Sequence, residues 1–134
     1  MAEPRQVDLT ALQRDDHRGW SLNPILASGL APSAIGNLHV VSIKPGTSRG
    51  NHVHQDATEW LLVFGGAATL IWRSPTQPTP KELHLEGSRP WLFEIPPEVE
   101  HSILNPSNED IYLVAFYDQP DPATESCPTL VKQD

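Results

Sequence analysis

The fold and the chemistry of this chain are decided by residues 46–66, which read GTSRGNHVHQDATEWLLVFGG. On a strand, side chains two residues apart point to the same side, so His52 and His54 can converge on one ion. The turn that follows lets Glu59 return from the start of the next strand. A later stretch, residues 96–105, reads PPEVEHSILN and offers His101 as a ligand from across a barrel. Three imidazoles and one carboxylate suit a divalent transition metal in a site with open positions, so we predict a metal centre here.

The remaining histidines have no comparable neighbours. His17, His39 and His84 lack a ligand-like partner nearby in the sequence, and we interpret each as a surface or strand-face residue. The metal itself is not specified by the sequence, because Zn, Fe, Mn, Ni, Co and Cu all accept imidazole and carboxylate ligands.

Composition limits the class of protein. The 134 residues give room for one domain, and fourteen prolines against eight glycines favour turns and edges over long helices. The net charge of −8 argues against nucleic acid as a partner. We find no apolar run long enough to span a membrane and no apolar secretory signal, and the single Cys127 has no internal disulfide partner. We therefore expect a cytoplasmic protein that acts without membrane or nucleic acid.

Short β-type segments recur along the chain and are separated by turn residues. Their composition predicts strands at residues 38–44, 59–64, 67–73, 83–86, 91–95, 101–104 and 111–117. Gly65 and Gly66 stand between two of these segments and predict a tight hairpin. Residues 8–12 fit either a turn of helix or an edge strand. The pattern is typical of an all-β sandwich or barrel.

One predicted strand is apolar on both faces. Leu61 and Val63 share a face with Glu59, which we expect to line the interior. The alternate positions form an equally apolar opposite face: Trp60, Leu62 and Phe64. Because such a face must be covered by a second sheet or another subunit, we predict a homodimer.

The first stretch resembles a known family motif. Gly46, His52, His54, Glu59 and Gly66 match, at every position, the first motif of the cupin superfamily. The resemblance implies a double-stranded β-helix, the jelly-roll barrel of cupins, with the metal bound inside by the three histidines and the glutamate.

The second stretch resembles the second cupin motif at Pro96, His101 and Asn105. It departs from that motif at Glu98, where the family usually has glycine, so the turn before His101 is expected to differ in shape. The resemblance covers residues 38–118 and implies a cupin barrel there. We expect an N-terminal arm over residues 1–37 that packs on the barrel and a C-terminal tail over residues 119–134.

A narrower resemblance concerns function. Residues 49–54, RGNHVH, are similar to a segment of cupins that act on nucleotide-linked sugars, among them capsular polysaccharide enzymes, ketoisomerases and epimerases. It implies that His52 or His54 takes a proton next to a sugar ketone and that Arg49 binds the sugar or a phosphate. A histidine that holds a metal is a poor base, so either the metal polarises the ketone or the site works without metal. Arg49 fits equally well as a rim residue paired to a carboxylate.

Two other functions fit the same ligands. An Fe(II)-dependent cupin dioxygenase would use the apolar interior residues, including Leu61, Val63 and Ile103, to hold a hydrophobic small molecule. A non-catalytic cupin would only bind a small ligand. Tyr112 and Tyr117 point to opposite faces of their strand, so only one can reach the interior, and we interpret both as hydroxyls at the sheet edge.

Overall fold

Two antiparallel five-stranded sheets form the framework of the fold, and a computed structural model describes the chain over residues 3–126. The strands are β1 (Arg5–Gln6), β2 (Arg14–Asp16), β3 (Gly19–Ser21), β4 (Asn37–Ile43), β5 (Ser48–His54), β6 (Glu59–Phe64), β7 (Ala68–Arg73), β8 (Lys81–Leu85), β9 (Trp91–Ile95), β10 (Glu100–Leu104), β11 (Ile111–Tyr117) and β12 (Thr124–Ser126). A short helix α1 (Pro24–Ser28) and a 3₁₀ helix (Pro32–Ala34) precede β4.

The two sheets have the strand orders β1-β9-β6-β11-β4 and β12-β5-β10-β7-β8, while β2 and β3 pair only with each other among the described strands. All seven segments predicted as strands are strands. The all-β jelly-roll prediction is therefore confirmed. Residues 127–134 of the predicted tail, Cys127 among them, lie outside the described residues.

The predicted hairpin at Gly65 and Gly66 is wrong. Strand β6 pairs with β9 and β11, whereas β7 pairs with β8 and β10 in the other sheet. The two glycines carry the chain from one sheet to the other, with Gly65 at a φ of 102°. Neighbouring strands in sequence often pair, but in this fold the partners of β6 come from much later in the chain.

An apolar core fills the space between the sheets. Its buried members come from both inner faces: Ile43, Leu61, Val63, Ala68, Leu70, Leu85, Phe93, Ile95, Val99, Ile103, Ile111, Leu113 and Ala115. The inner-face positions at the start of β6 and the end of β11 are polar instead. They are occupied by Glu59 and Tyr117, which lie directly opposite each other. One end of the barrel is thus packed with hydrocarbon, and the other end is left for polar chemistry.

The outer face of β6 is covered by the chain's own N-terminal residues. Trp60 and Leu62 pack there with Val7, whose backbone N–H donates to the Leu92 carbonyl at 2.8 Å. Further apolar residues from the same region complete the cluster: Leu9, Leu22, Ala27, Leu30 and Ile35. The face that led us to expect a second subunit is therefore buried within one chain, and the homodimer stays a prediction. Over residues 3–126, no helix combines the length and the hydropathy needed to cross a membrane.

Candidate metal centre

A β-bulge in β5 turns the first two histidines into the barrel. His52 lies opposite His101 and Gly50 opposite Ser102, so Asn51 is the extra residue of the pair. Gly50 and Asn51 have φ values of 99° and 49°. A Cβ added at Gly50 would lie 3.1 Å from the His101 carbonyl oxygen, which is why this position takes glycine. The bulge re-aims the strand so that both imidazoles face inward.

The structure brings the four predicted ligands together. Oε1 of Glu59 lies 2.6 Å from Nε2 of His101, 3.2 Å from Nε2 of His54 and 3.6 Å from Nε2 of His52. The four candidate ligand atoms all lie within 4.8 Å of one another, and these residues can hold one metal ion. Glu59, His54 and His101 are buried, while His52 is partly exposed toward the adjoining cavity.

Two of the ring nitrogens have no other use in the described part of the chain. Nε2 of His52 and Nε2 of His54 are buried and lack an aligned hydrogen-bond partner among residues 3–126. Leaving a buried polar atom unsatisfied costs about 1–3 kcal/mol, so such atoms in a native fold need an explanation. An ion between the four residues would accept both lone pairs, and the donor set therefore fits a metal.

Hydrogen bonds on the far side of two rings fix the tautomers that a metal requires. Oγ1 of Thr124 donates to the Pro122 carbonyl at 3.2 Å, which leaves that oxygen to accept from Nδ1 of His54 at 3.0 Å. Nδ1 of His101 donates to the Val99 carbonyl at 3.0 Å. With a proton on Nδ1, each ring directs the lone pair of Nε2 at the cluster. Hydrogen-bond acceptors usually hold metal-binding histidines in this tautomer and orientation.

The electrostatics of the cluster favour a charged pair when no ion is bound. Burial alone would raise the pKa of Glu59, but the charge and hydrogen bond of His101 outweigh it and hold that pKa well below its usual range. Burial would lower the pKa of His101, yet the Glu59 carboxylate and the Val99 carbonyl raise it overall. The pair therefore holds a proton that a metal ion would have to displace.

Tyr117 belongs to this centre, and its interpretation as a sheet-edge hydroxyl is wrong. The residue is 5% exposed, and the centroid of its ring lies 4.8 Å from the centroid of the His54 ring. Burial, followed by the charge and hydrogen bonding of Glu59, raises the pKa of its hydroxyl. Tyr112 points to the outer face and is 39% exposed, but β11 lies between β6 and β4, so this tyrosine is a surface residue away from the sheet edge.

The second sequence motif shapes the turn and the strand that carry His101. Glu98 adopts a φ of 70°, in the left-handed region that favours glycine, although the residue is not glycine, and the expected difference in turn shape stays a prediction. Its N–H donates to the His54 carbonyl at 2.8 Å, which ties the turn to the metal centre. Asn105 is fully buried and donates to the carbonyls of Ile43 and Glu109 at 2.8 and 2.7 Å, so its role is to hold the end of β10.

A cavity of about 320 Å³ opens beside the ligands. Its apolar wall combines residues of both sheets: Val41, Leu61, Ile103, Leu113 and Ala115. Of the interior residues predicted to hold a hydrophobic molecule, Leu61 and Ile103 line this cavity, whereas Val63 lies in the core. A larger, more open cleft of about 510 Å³ includes Pro75 and contains none of the four ligands.

Polar groups stand at the rim of the cavity. Nε of Arg49 donates to the Ser42 carbonyl at 3.0 Å, so this guanidinium is anchored to β4 through a backbone oxygen rather than a carboxylate. His39 is a strand-face residue, as predicted, but the sequence did not show that its face is the inner one, where the residue lines the cavity. The missing signal was its parity with Val41 and Ile43, which identifies the inner face of β4.

Comparison with known proteins identifies the family of this chain. The profile of the polysaccharide biosynthesis C-terminal domain family matches residues 14–124. The chain belongs to this family. A comparison with curated proteins found no significant match. Similar solved structures have cupin-type folds, so the resemblance to the cupin superfamily is confirmed.

Three solved structures illustrate the likeness. The capsular polysaccharide assembling protein CapF of Staphylococcus aureus is 25% identical with a TM-score of 0.61, over 68% of this chain and 26% of that one. A 3,4-ketoisomerase of Helicobacter canadensis is 19% identical with a TM-score of 0.65, over 86% and 84% of the two chains. Oxalate decarboxylase OxdC of Bacillus subtilis is 18% identical with a TM-score of 0.56, over 66% and 23%. The chain thus spans only about a quarter of CapF.

Proposed function

We propose that this protein binds one divalent transition metal through His52, His54, Glu59 and His101 and acts on a sugar or nucleotide-linked sugar in the adjoining cavity. The observation that carries the proposal is the convergence of four ligand atoms within 4.8 Å at the wall of a cavity of about 320 Å³. That volume lies at the lower end of the range for small-molecule sites.

The sugar assignment draws on the family and on the chemistry of the rim. The family is one of polysaccharide biosynthesis, and a ketoisomerase shares the fold over most of both chains. Arg49 is held at the rim with its guanidinium beside the cavity. A planar guanidinium binds phosphate and hydroxyl oxygens well, so Arg49 is suited to a sugar that carries a nucleoside diphosphate.

The reaction we propose is isomerisation or epimerisation of a ketosugar. A bound divalent metal supplies Lewis-acid polarisation of a carbonyl oxygen. Arg49 binds and orients the substrate, and the apolar wall of Leu61, Leu113 and Ala115 excludes water from the reacting carbon. The expectation that His52 or His54 removes the proton holds only for a site that works without metal, since ligation occupies the lone pair of each ring.

Turnover of a nucleotide-linked 4-ketohexose by the metal-loaded protein tests the function. Proton NMR should show a new keto isomer or epimer in the presence of metal and none after chelation. In Arg49→Gln we expect KM to rise by about tenfold or more, because a charged hydrogen bond contributes about 1.5–3 kcal/mol. Arg89→Gln is the matched control, since Arg89 lies over Trp91 away from the cavity. Absence of conversion for ketosugars linked to several different nucleotides would contradict the proposal.

The apolar wall favours a second candidate, an Fe(II)-dependent dioxygenase. The same four ligands leave open positions on iron, and five apolar residues face the cavity. Oxygen uptake by the iron-loaded protein with a hydrophobic substrate, and no ketosugar conversion, would support this candidate. Tight ligand binding with neither reaction would instead indicate a non-catalytic binding cupin.

A further inference from the structure

A third imidazole lines the cavity, beside His52 and His101, without joining the ligand cluster. His39 lies on β4, with its Cα paired to Ala115 on the inner face of the first sheet. Its side chain lines the cavity together with His52, Glu59 and His101. The four-residue cluster that can hold a metal does not include it.

Once the imidazoles of the cluster hold an ion, they have no lone pair left for a substrate. Nε2 of His54 and Nε2 of His52 point at Glu59, and Nδ1 of His54 is hydrogen-bonded to Thr124. Nδ1 of His101 is bonded to the Val99 carbonyl, and its Nε2 lies 2.6 Å from Glu59. A general base needs a free lone pair within reach of the reacting carbon, which these rings lack once they hold an ion.

His39 lines the cavity from outside the ligand cluster, so metal binding does not occupy its lone pair. Its ring is stacked on Tyr117 at a centroid distance of 6.0 Å and an interplanar angle of 22°, which restrains the orientation of the imidazole. The residue is exposed at the mouth of the cavity, so a proton taken from a substrate can exchange with solvent. Tyr117 in turn contacts the ring of His54, so His39 stands one aromatic ring away from the metal ligands.

The position of His39 also fits the proposed binding role of Arg49. Arg49 is anchored to Ser42 on the same strand, three residues after His39. At about 3.3 Å per residue, His39 and the Ser42 anchor of Arg49 lie roughly 10 Å apart along β4. A substrate held by Arg49 through its phosphate would extend along this strand with its sugar between His39 and the cluster.

We infer that His39, rather than His52 or His54, is the general base of the sugar reaction. The inference rests on the proposed function. The imidazole nitrogen takes the proton from the carbon next to the carbonyl, that C–H bond breaks, and its electron pair forms the C=C bond of an enediolate with the negative charge on the former carbonyl oxygen. Return of a proton to the former carbonyl carbon gives the isomer. Return of a proton to the carbon that lost it, from the other face, gives the epimer. The hydroxyl proton lost in isomerisation passes to the other oxygen, so no oxidant or reductant is consumed.

Exchange with heavy water tests this assignment directly. The metal-loaded parent, His39→Gln and His17→Gln are each incubated in D₂O with a nucleotide-linked 4-ketohexose, and deuterium next to the ketone is followed by NMR. His17→Gln is the control because this histidine lies in the exposed turn between β2 and β3. For His39→Gln we expect exchange and kcat to fall at least about 100-fold, the usual contribution of a general base, while KM changes little. Metal content and thermal midpoint should match the parent.

The outcomes separate the two ideas. Exchange by the parent and by His17→Gln, with its loss in fully metallated His39→Gln, supports the assignment. Exchange that persists in His39→Gln overturns the role of His39 and leaves the sugar reaction standing. No exchange by the metal-loaded parent overturns the proposed function, and the assignment of the base with it. Loss of metal from His39→Gln would instead show that the residue serves the metal centre, which also overturns the assignment.

Discussion

Removal of the hydroxyl behind His54 should weaken metal binding without removing a ligand. In Thr124→Val the side chain keeps its shape but can no longer accept the Nδ1 proton of His54, a bond of 3.0 Å. Loss of such a partner typically lowers metal affinity by 10- to 100-fold. Thr124 is exposed, so this hydrogen bond has the net value of about 0.5–1.5 kcal/mol seen for ordinary bonds, which places the loss at the lower end of that range. We therefore expect a loss of about tenfold, or about 1.4 kcal/mol.

Competition with a chromophoric chelator measures this change at constant pH. The matched control is Thr10→Val, because Oγ1 of Thr10 donates to Asp8 at 2.7 Å in an exposed turn near the N-terminus. The control should bind metal as the parent does. An affinity of Thr124→Val within about twofold of the control would refute the reasoning that β12 orients His54 for the ion.

The structure leads to three further predictions. In the metal-free protein, the lowered pKa of Glu59 stabilises the fold above its usual value of 4.5 and the raised pKa of His101 stabilises it below 6.5. This contribution to the free energy of unfolding should be greatest between those two pH values. It should be lost as the pH falls through the folded pKa of Glu59 or rises through the folded pKa of His101. Urea denaturation measures it, and a parent whose unfolding free energy depends less on pH than that of His101→Gln would contradict the prediction. Glu98→Gly should raise the free energy of unfolding by up to about 1 kcal/mol, because a left-handed conformation costs a non-glycine residue about 1–2 kcal/mol and glycine returns part of that as entropy. Val40 is 67% exposed on the outer side of the edge strand β4, so Val40→Lys should convert the predicted homodimer to monomer in sedimentation analysis, and a parent that is already monomeric would show the dimer prediction to be wrong.

Local patterns in the sequence were enough for seven of the twelve described strands but not for their partners. Residues 59–64, 91–95 and 111–117 were predicted to the residue, because β-branched and aromatic side chains fill them and turn residues bound them. The hairpin at Gly65 and Gly66 failed because the composition of a turn does not reveal which sheet the next strand enters. That choice depends on pairing between distant strands, such as β6 with β11.

In the candidate site, too, some residues were predicted from local spacing and others depend on the pairing of distant strands. The spacing of His52 and His54 already placed both rings on one side of a strand, and the structure brings them to Glu59 and His101. The importance of Tyr117 depended on its register opposite Glu59, and that of Thr124 on its register opposite His54. Those registers are set by long-range pairing, so no local pattern could identify the two residues.

The measurement that tests the central claim most directly is the metal content of the protein. The parent, purified without a histidine tag, and a His52→Ala/His101→Ala double variant would be analysed by plasma mass spectrometry after reconstitution with several divalent ions. About one equivalent of metal per chain in the parent, lost in a double variant that remains folded, is the predicted result; zinc would favour the sugar reaction and iron the oxygenase. A parent that retains no metal under any of these conditions would contradict the account.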